Sequence, residues 1–195
     1  MTQKQIVHGP VYIDNPHFLM RTVVPEDINE QVVAWLTGTE MLVGLNLPPL
    51  NFNVQTLRAY ISSFDNKNNY FIGIFSKKNN SLIGFYTIDV SFPHMVALIT
   101  AGIATKNFEE KAVLWRTIDS LIDYFFQNRG IYKFSARVME RNLRAIFNFK
   151  GGSRFELEAV LKNECVTPSG ERVTILVFSS FCDDGRKPIL PDKQW

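Results

Sequence analysis

The segment Met95–Phe149 decides the fold that the sequence predicts. It begins with a strand-like run, MVALITAGI (Met95–Ile103), and continues through a polar turn into a long amphipathic helix, AVLWRTIDSLIDYFFQ (Ala112–Gln127). A second strand, YKFSARVM (Tyr132–Met139), and a short helix opened by Asn142 follow. This is a β-α-β unit. Because the N–H groups at a helix N-terminus are free, the turn after the first strand favours an anionic group such as a phosphate.

Hydrophobic patterns on both sides of this unit predict further strands and helices. Pro25-Glu26-Asp27 opens one helix, because proline suits a first helical turn and acidic side chains suit the helix dipole. Asn53 caps a second helix. A turn-forming cluster at residues 76–81 joins two strands into an antiparallel hairpin. The strands predicted outside the unit are Phe18–Val24, Tyr70–Phe75, Leu82–Val90, Phe155–Leu161 and Val173–Phe181.

One apolar segment between the first two helices does not follow a regular pattern. Met41–Leu50 contains Gly44, Pro48 and Pro49, which predict a non-helical stretch, either a loop packed on its own side chains or the wall of a pocket. The complete order is then β-α-α-β-β-β-α-β-α-β-β. It predicts an α+β (mixed α/β) domain with a largely antiparallel sheet, in which the helix Ala112–Gln127 makes the two strands it joins parallel neighbours.

Composition narrows the classes of function. The 195 residues predict a single domain over 1–195, with a core at 18–181 and a polar tail at 183–195. The 21 basic and 19 acidic residues nearly balance, which argues against a nucleic-acid partner. No apolar run is long enough to cross a membrane. Cys165 and Cys182 lack metal-ligand spacing; they form one bridge or stay free thiols, and we expect free thiols, no metal and a cytoplasmic location.

Several short motifs follow one another in an order typical of one superfamily. They are Leu19-Met20-Arg21 followed by Pro25-Glu26-Asp27, then Ser81-Leu82-Ile83-Gly84, Gly102-Ile103, Asp123-Tyr124-Phe125-Phe126 and Arg141-Asn142. Together with the element order, these motifs resemble the GNAT N-acetyltransferases over Phe18–Phe181, closest to the branch that acetylates ribosomal-protein N-termini. The resemblance implies the GNAT fold and transfer of an acetyl group from acetyl-CoA to an amine.

In that superfamily acetyl-CoA lies in a V-shaped gap between the two parallel strands, and backbone N–H groups of the following turn and helix bind its pyrophosphate. The resemblance therefore assigns cofactor contacts to Gly102, Ile103, Lys111, Ala112, Val113, Leu114, Asn142 and Phe147. The pyrophosphate motif is degenerate in this chain. Leu114 replaces a small residue, and Glu109 and Glu110 stand where a basic residue and a glycine are usual, so charge repulsion weakens anion binding at this turn.

Two catalytic side chains that are usual in the superfamily are replaced. A glutamate that acts through water as general base corresponds to Thr100, which is not a base at neutral pH. A tyrosine that protonates the leaving thiolate corresponds to Phe149 or Phe147, and neither has a proton to give. Thr100 and Phe149 therefore mark catalytic positions without the catalytic groups. The two phenylalanines are two residues apart, so only one faces the core. Ser135 lies on the strand beside the gap, most simply as an ordinary strand residue.

The sequence leaves three functions open. The first is an N-acetyltransferase that acetylates a primary amine of a small molecule or a peptide N-terminus, with acetyl-CoA or another acyl-CoA as co-substrate. The second is a non-catalytic GNAT-fold protein that binds a ligand or partner, which the altered positions favour. The third takes its acyl group from an acyl-carrier protein. None of them implies a nucleic-acid or membrane partner, and homodimers are common in families of this kind.

Overall fold

The computed structural model describes residues 7–104, 113–150 and 154–182, excluding the side chains of residues 147, 148 and 150. The polar tail predicted at 183–195 lies outside these residues. In chain order the elements are β1 (Tyr12–Asp14), β2 (Phe18–Thr22), α1 (Glu30–Leu36), α2 (Thr39–Leu45), α3 (Val54–Ser62), β3 (Asn69–Ser76), β4 (Leu82–Ser91), β5 (Val96–Ile103), α4 (Val113–Asn128), β6 (Lys133–Met139), α5 (Leu143–Lys150), β7 (Glu156–Val166) and β8 (Arg172–Phe181).

The strands of the described residues form one sheet in the order β1-β2-β3-β4-β5-β6-β8-β7. Neighbouring strands run antiparallel, except that β5 and β6, which α4 connects, run parallel. The predicted fold class, the β3–β4 hairpin and the parallel pair are therefore confirmed. The outermost strand, β7, is longer than predicted and is interrupted twice, between Leu157 and Ala159 and between Leu161 and Cys165.

Asparagine side chains start three of the five helices, α1, α3 and α5, and the sequence predicts two of these caps, Asn53 and Asn142. The Oδ1 atom of Asn53 accepts a hydrogen bond from the Thr56 N–H at 2.9 Å and opens α3. Pro25 does not open α1, which is a correction to the prediction. Residues Pro25–Asp27 form one turn of 3-10 helix, and α1 begins at Glu30, because the Asn29 side chain caps it.

The prediction of a non-helical stretch at Met41–Leu50 is also wrong, because α2 occupies its first half. Gly44 is tolerated in the last turn, where little helix remains to be destabilised. Asn46 ends α2 in the left-handed conformation, with φ +55°, and the Leu47 N–H donates to the Leu42 carbonyl at 2.9 Å. Pro48 and Pro49 follow after the helix has ended and do not interrupt it.

Two apolar layers cover opposite faces of the sheet. On one face, α4 buries the predicted side chains Ile118, Leu121, Ile122 and Phe125. On the other face, α1 and α3 pack over β2–β4 around the stacked Phe71 and Phe85 rings, whose centroids lie 4.9 Å apart. This second layer does not extend over β6. The uncovered part, here termed the open face, consists of the exposed or partly exposed residues Leu98, Thr100, Ser135 and Arg137.

The strand β1, which sequence patterns missed, is held in place by a buried arginine. Arg129 is 0% exposed, and its guanidinium donates to the carbonyls of Val7, Gly9 (2.8 Å) and Pro10 (3.2 Å). It also donates to the Tyr124 hydroxyl at 3.0 Å. Within the described residues no carboxylate pairs with it, so the backbone carbonyls, the Tyr124 hydroxyl and the nearby rings of Tyr70 and Tyr124 compensate the buried charge. Arg129 thereby fixes the segment that leads into β1.

Replacing this arginine should destabilise the whole fold. We expect Arg129→Ala to lower the free energy of unfolding by about 3 kcal/mol, because several charged hydrogen bonds are lost and buried carbonyls lose their partner. Arg116→Ala, which removes an exposed arginine from α4 itself, is the matched control and should change stability by less than about 0.5 kcal/mol. Urea denaturation measures both. Equal losses of unfolding free energy in the two variants would show that Arg129 does not hold the segment that leads into β1.

The loop between α3 and β3 is built around the carboxylate of Asp65. Its Oδ1 atom accepts hydrogen bonds from the N–H groups of Lys67 (2.8 Å), Asn68 (2.7 Å) and Asn69 (3.0 Å). Its Oδ2 atom accepts one from the Asn68 amide at 2.8 Å. Partial burial opposes ionisation, but these bonds outweigh it and lower the pKa of Asp65 from 3.8 to about 2.

Because of this pKa shift, the free energy of unfolding depends on pH. The unfolded carboxyl takes up its proton near its ordinary pKa, whereas the folded one resists protonation until about pH 2. The stabilisation is thus complete above about pH 4 and is lost as the pH falls from about 4 to about 2. In urea titrations, Asp65→Asn should flatten the pH dependence of unfolding in this window. Asp89→Asn, at an exposed position without such bonds among the described residues, should keep the wild-type slope; a wild-type slope in Asp65→Asn would refute this role.

Candidate functional site

The parallel strands β5 and β6 separate after three paired positions. Val96, Ala97 and Leu98 pair with Lys133, Phe134 and Ser135, and the pairing stops there. On its other side β5 remains paired with β4 as far as Ile103. The gap between residues 99–103 of β5 and residues 136–139 of β6, here termed the split, is therefore a V whose apex lies at Leu98 and Ser135.

The backbone of β5 presents to this split polar groups that have no partner in the part of the chain that the structure describes. The Ala104 N–H donates to the Ile83 carbonyl of β4 at 2.8 Å. The Ile103 carbonyl belongs to the same peptide group, in which N–H and C=O point in opposite directions, so it points away from β4. Since successive residues of a strand alternate in direction, the N–H and C=O groups of Ala101 and Ile103 face the split. There β6 offers them no paired strand. A row of alternating donors and acceptors is suited to an extended ligand that carries amide groups.

Two positions of β5 on the same face of the sheet, Gly102 and Thr100, differ in burial. Gly102 is buried beneath the second apolar layer, where a Cβ atom would lie 2.4 Å from Cε1 of Phe85 and 2.8 Å from Sδ of Met41. Thr100 is exposed on the open face, opposite Thr87 of β4. The first helix turn that follows contributes Val113, fully buried, and Leu114, partly buried against the main core. Lys111 and Ala112 lie outside the described residues.

Helix α5 borders the split on the β6 side, and Asn142 starts it as predicted. Its Oδ1 accepts from the Ala145 N–H at 3.1 Å, and its Nδ2 donates to the Gly44 carbonyl of α2 at 3.1 Å. Among the described residues, one N–H and one lone pair of this amide have no partner and can serve a ligand. Glu40 of α2 also pairs with Arg144 at 3.0 Å, so α2 is attached to α5 at two points.

Phe149 of α5 lies in the core of the protein. Phe149 is 7% exposed and packs in the core against Phe155, edge to face at 4.9 Å, and Phe178, stacked at 5.8 Å. Phe149 is therefore the phenylalanine that faces the core, and its ring is a structural group. The side chain of Phe147 lies outside the described residues. The partly buried apolar residues at the ends of the elements around the split are Ala101, Ile103, Leu114, Ala145 and Ile146.

A chain of polar side chains lies beside the apex of the split and was missed by sequence analysis. Ser135 and Ser179 have their hydroxyl oxygens 3.0 Å apart, Ser179 donates to Oε2 of Glu158, and Lys133 pairs with Oε1 of Glu158 at 2.6 Å. Hydrogen bonds from Lys133 and Ser179 hold the pKa of Glu158 below its usual range, despite some burial. These residues belong to β6, β8 and β7, and no local motif connects them.

Other kinds of site find little support in the described residues. No cluster of three His, Cys, Asp or Glu side chains there could hold a metal ion. No helix among them is long and apolar enough to cross a membrane. A cavity of about 230 Å³ lies between α1 and the β3–β4 turn. Its two acidic residues are Glu26 and Asp27, and Asp27 is already paired with Arg21 at 2.6 Å.

Known proteins match this chain in structure, whereas sequence comparisons find no match. No protein-family model matches the sequence, and no curated protein matches it. Solved structures do: the ribosomal-protein-S5-alanine acetyltransferase from Vibrio fischeri has a TM-score of 0.77 at 14% identity, over 91% of this chain and 100% of that one. A GNAT-family acetyltransferase from Bacillus anthracis has a TM-score of 0.70 at 15% identity, over 88% and 98%. The chain has the GNAT fold.

A third GNAT-fold neighbour was solved with ligands. The spermidine N-acetyltransferase from Vibrio cholerae, in complex with CoA and spermine, has a TM-score of 0.72 at 16% identity, over 86% of this chain and 96% of that one. The resemblance to GNAT proteins that the sequence motifs indicated is thus confirmed for the fold. At such identities the likeness is one of fold, so the chemistry of this chain has to be argued from its own residues.

The glycine of β5 should be required for packing. Gly102→Ala should lower the free energy of unfolding by about 2 kcal/mol, because Phe85 is held by its stack on Phe71 and cannot move aside for the new methyl group. Gly44→Ala is the control: its Cβ meets only the Asn142 amide, at 3.9 Å, and alanine favours the helix. Urea unfolding should show no loss for this control. If Gly102→Ala left the free energy of unfolding unchanged, the second apolar layer would be loosely packed at this position.

Proposed function

We propose that this protein is an N-acetyltransferase that transfers an acetyl group from acetyl-CoA, or another acyl group from its CoA thioester, to a primary amine. One observation carries the proposal: β5 and β6 separate in the middle of the sheet and leave the backbone groups of Ala101 and Ile103 unpaired toward the split. The pantetheine arm of CoA is extended and contains two amides, so it can pair with such an edge as an added strand would.

The reaction follows from holding the two substrates close together. The amine nitrogen attacks the thioester carbonyl carbon from the open face, the N–C bond forms and the C–S bond breaks. The nitrogen releases one proton to water, and the CoA thiolate takes one up from water. The N–H of Ile103 is our candidate for the group that stabilises the negative charge on the carbonyl oxygen. Orientation of two bound reactants supplies much of the rate without a side-chain acid or base.

The replaced family residues are compatible with this mechanism. Thr100 lies on the open face near the apex, where its hydroxyl can contact a water molecule or the acceptor. The backbone groups of β5 do not depend on side-chain identity, so the loss of the usual glutamate and tyrosine lowers the rate without removing the site. As CoA contacts we propose the residues that the resemblance assigned, with Ile103 and Val113 acting through their backbones and Asn142 through an amide N–H. Gly102 is the exception, because its backbone groups pair with β4, and its role is to leave room for Phe85 and Met41.

The substrates of the structural neighbours and the residues beside the split narrow the class of acceptor amine. The neighbours described above act on a ribosomal-protein alanine and on spermidine, both of which are primary amines. Helix α2 stands beside the split on the acceptor side, with Met41 against Gly102, which favours an acceptor that has an apolar part. Cys165 and Cys182 are free, and we place the reaction in the cytoplasm, where thiols stay reduced.

Two measurements on the purified protein test the proposal. Isothermal calorimetry with acetyl-CoA and with CoA should give micromolar dissociation constants, and a thiol-release assay should detect turnover with at least one amine of a panel. The panel contains spermidine, phenylethylamine and peptides that begin with alanine or serine. Binding without turnover on every amine would favour a non-catalytic binding protein. No binding at millimolar acetyl-CoA would rule out the CoA-dependent function.

A proline at Ile103 tests the backbone N–H directly. Because this N–H faces the split and not β4, Ile103→Pro removes it without breaking the β4–β5 pairing. We expect kcat to fall about a hundredfold while acetyl-CoA still binds. Ile103→Val keeps the N–H and should retain wild-type kcat. Circular dichroism and urea unfolding verify that the variants are folded; a folded Ile103→Pro with unchanged kcat would exclude this N–H from catalysis.

A further inference from the structure

The backbone groups of Ala101 lie beside the place of the thioester and have no part in the reaction described so far. Ala101 is opposite Tyr86 in the β4–β5 pairing, and the alternation along β5 turns its N–H and C=O groups toward the split. The pairing of β5 with β6 has already ended at Leu98 and Ser135. Among the described residues, both groups of Ala101 therefore lack a hydrogen-bond partner, and only water or a ligand can satisfy them.

CoA leaves these two groups free when its thioester is held at Ile103. Helix α4 follows β5, and a crossover helix begins beside the C-terminal end of the strand before it, so Val113 lies beyond Ile103 as seen from Ala101. The pantetheine arm runs toward that helix, and its amide next to the thioester can donate to the Ile103 carbonyl. Ala101 thus borders the other side of the thioester, which is left to the acyl group and the acceptor.

The Ala101 carbonyl is within reach of an attacking nitrogen. Along the edge of an extended strand, the oxygen of Ala101 and the nitrogen of Ile103 are about 5 Å apart. A thioester oxygen bound to the Ile103 N–H lies about 2.9 Å from that nitrogen, and an amine in attacking position lies about 3–3.5 Å from the carbonyl carbon. The amine can therefore donate to Ala101 at an ordinary length. Since carbonyl oxygens accept over a broad range of directions, it can do so from the open face.

We infer that Ala101 positions the acceptor through its backbone: its C=O accepts from the amine nitrogen, and its N–H donates to a carbonyl on the amine-bearing carbon of the acceptor. An amine and a carbonyl on one carbon atom have the spacing of the N–H and C=O groups of a single residue. Two opposite residues of an antiparallel pair bind each other in this way. The class of acceptor selected is the α-amino amide. The inference rests on the proposed function and specifies the acceptor subsite of that reaction.

The shape of the split limits this pairing to the reacting end of the acceptor. The V closes at Leu98 and Ser135, three positions along β5 from Ala101, so an acceptor paired with Ala101 cannot continue between the strands. Its remainder leaves over the open face, where the side chains of Thr100 and Leu98 are exposed. Selection by the backbone is therefore confined to the amine and the carbonyl next to it.

Two substitutions of Ala101, each assayed with two acceptors, test the inference. Ala101→Pro removes the N–H that faces the split and leaves the hydrogen bonds between β4 and β5 in place. Ala101→Val adds a side chain of similar size and keeps the N–H. The acceptors are phenylalaninamide and phenylethylamine, which differ only in the carboxamide on the amine-bearing carbon. Because both variants are compared on the same acceptor, differences in amine basicity cancel.

Relative to Ala101→Val, Ala101→Pro should lower kcat/KM about tenfold for phenylalaninamide, the loss expected for one hydrogen bond, and less than about twofold for phenylethylamine. KM for acetyl-CoA should agree between the variants, and circular dichroism verifies that both are folded. An equal loss on the two acceptors overturns the inference, because phenylethylamine has no carbonyl to bind this N–H. If peptides beginning with alanine or serine react faster than phenylalaninamide, they replace it in the comparison.

The wild-type protein provides a second measurement that does not depend on the folding of a variant. Corrected for the fraction of unprotonated amine, kcat/KM should be at least about fivefold higher for phenylalaninamide or the peptides than for phenylethylamine, although the simple amine is the more basic nucleophile. Equal or faster turnover of phenylethylamine overturns the inference and leaves the proposed function intact. No turnover of any amine overturns both.

Discussion

A backbone amide that loses its strand partner must find another, and this requirement governs the centre of the molecule. The parallel pair β5–β6 holds together for only three positions before the strands separate. The separation leaves hydrogen-bonding groups inside a sheet that is elsewhere paired. Helices α4 and α5 begin beside this place, and α2 is bound against it through Met41 and the Gly44 carbonyl. The surrounding elements are arranged around a set of backbone groups that have no partner within residues 7–104, 113–150 and 154–182.

This arrangement makes the polar character of the split a property of the backbone. N–H and C=O groups are the same whichever residues are present, so the groups that face the split do not depend on the side chains of Thr100 and Phe149. Phe149 has taken a structural role in the core. The polar chain from Glu158 to Ser135 lies beside the apex of the split and is contributed by three different strands, β7, β8 and β6.

The sequence predicted those features that depend on neighbouring residues. The amphipathic face of α4, the β3–β4 hairpin and the caps at Asn53 and Asn142 all follow from local patterns. The helix α2 was missed because Gly44 weighs against a helix in any local scheme, whereas Met41 and Leu45 gain stability by burial. Long-range contacts leave no local signal. The bulge at Glu158 depends on how β7 and β8 pair, and the Arg129 contacts with residues 7–10 join segments about 120 positions apart.

The irregular β7 also affects how readily molecules of the protein associate in concentrated solution. A long outermost strand normally exposes a straight row of unpaired backbone groups, on which another polypeptide can build an aggregate. In β7 the inserted Glu158, the second interruption before Cys165 and the left-handed Asn163, at φ +53°, break up that row. Charged Lys162 and Glu164 add electrostatic and hydration barriers. The distortion of β7 thus opposes fibre-like association between molecules.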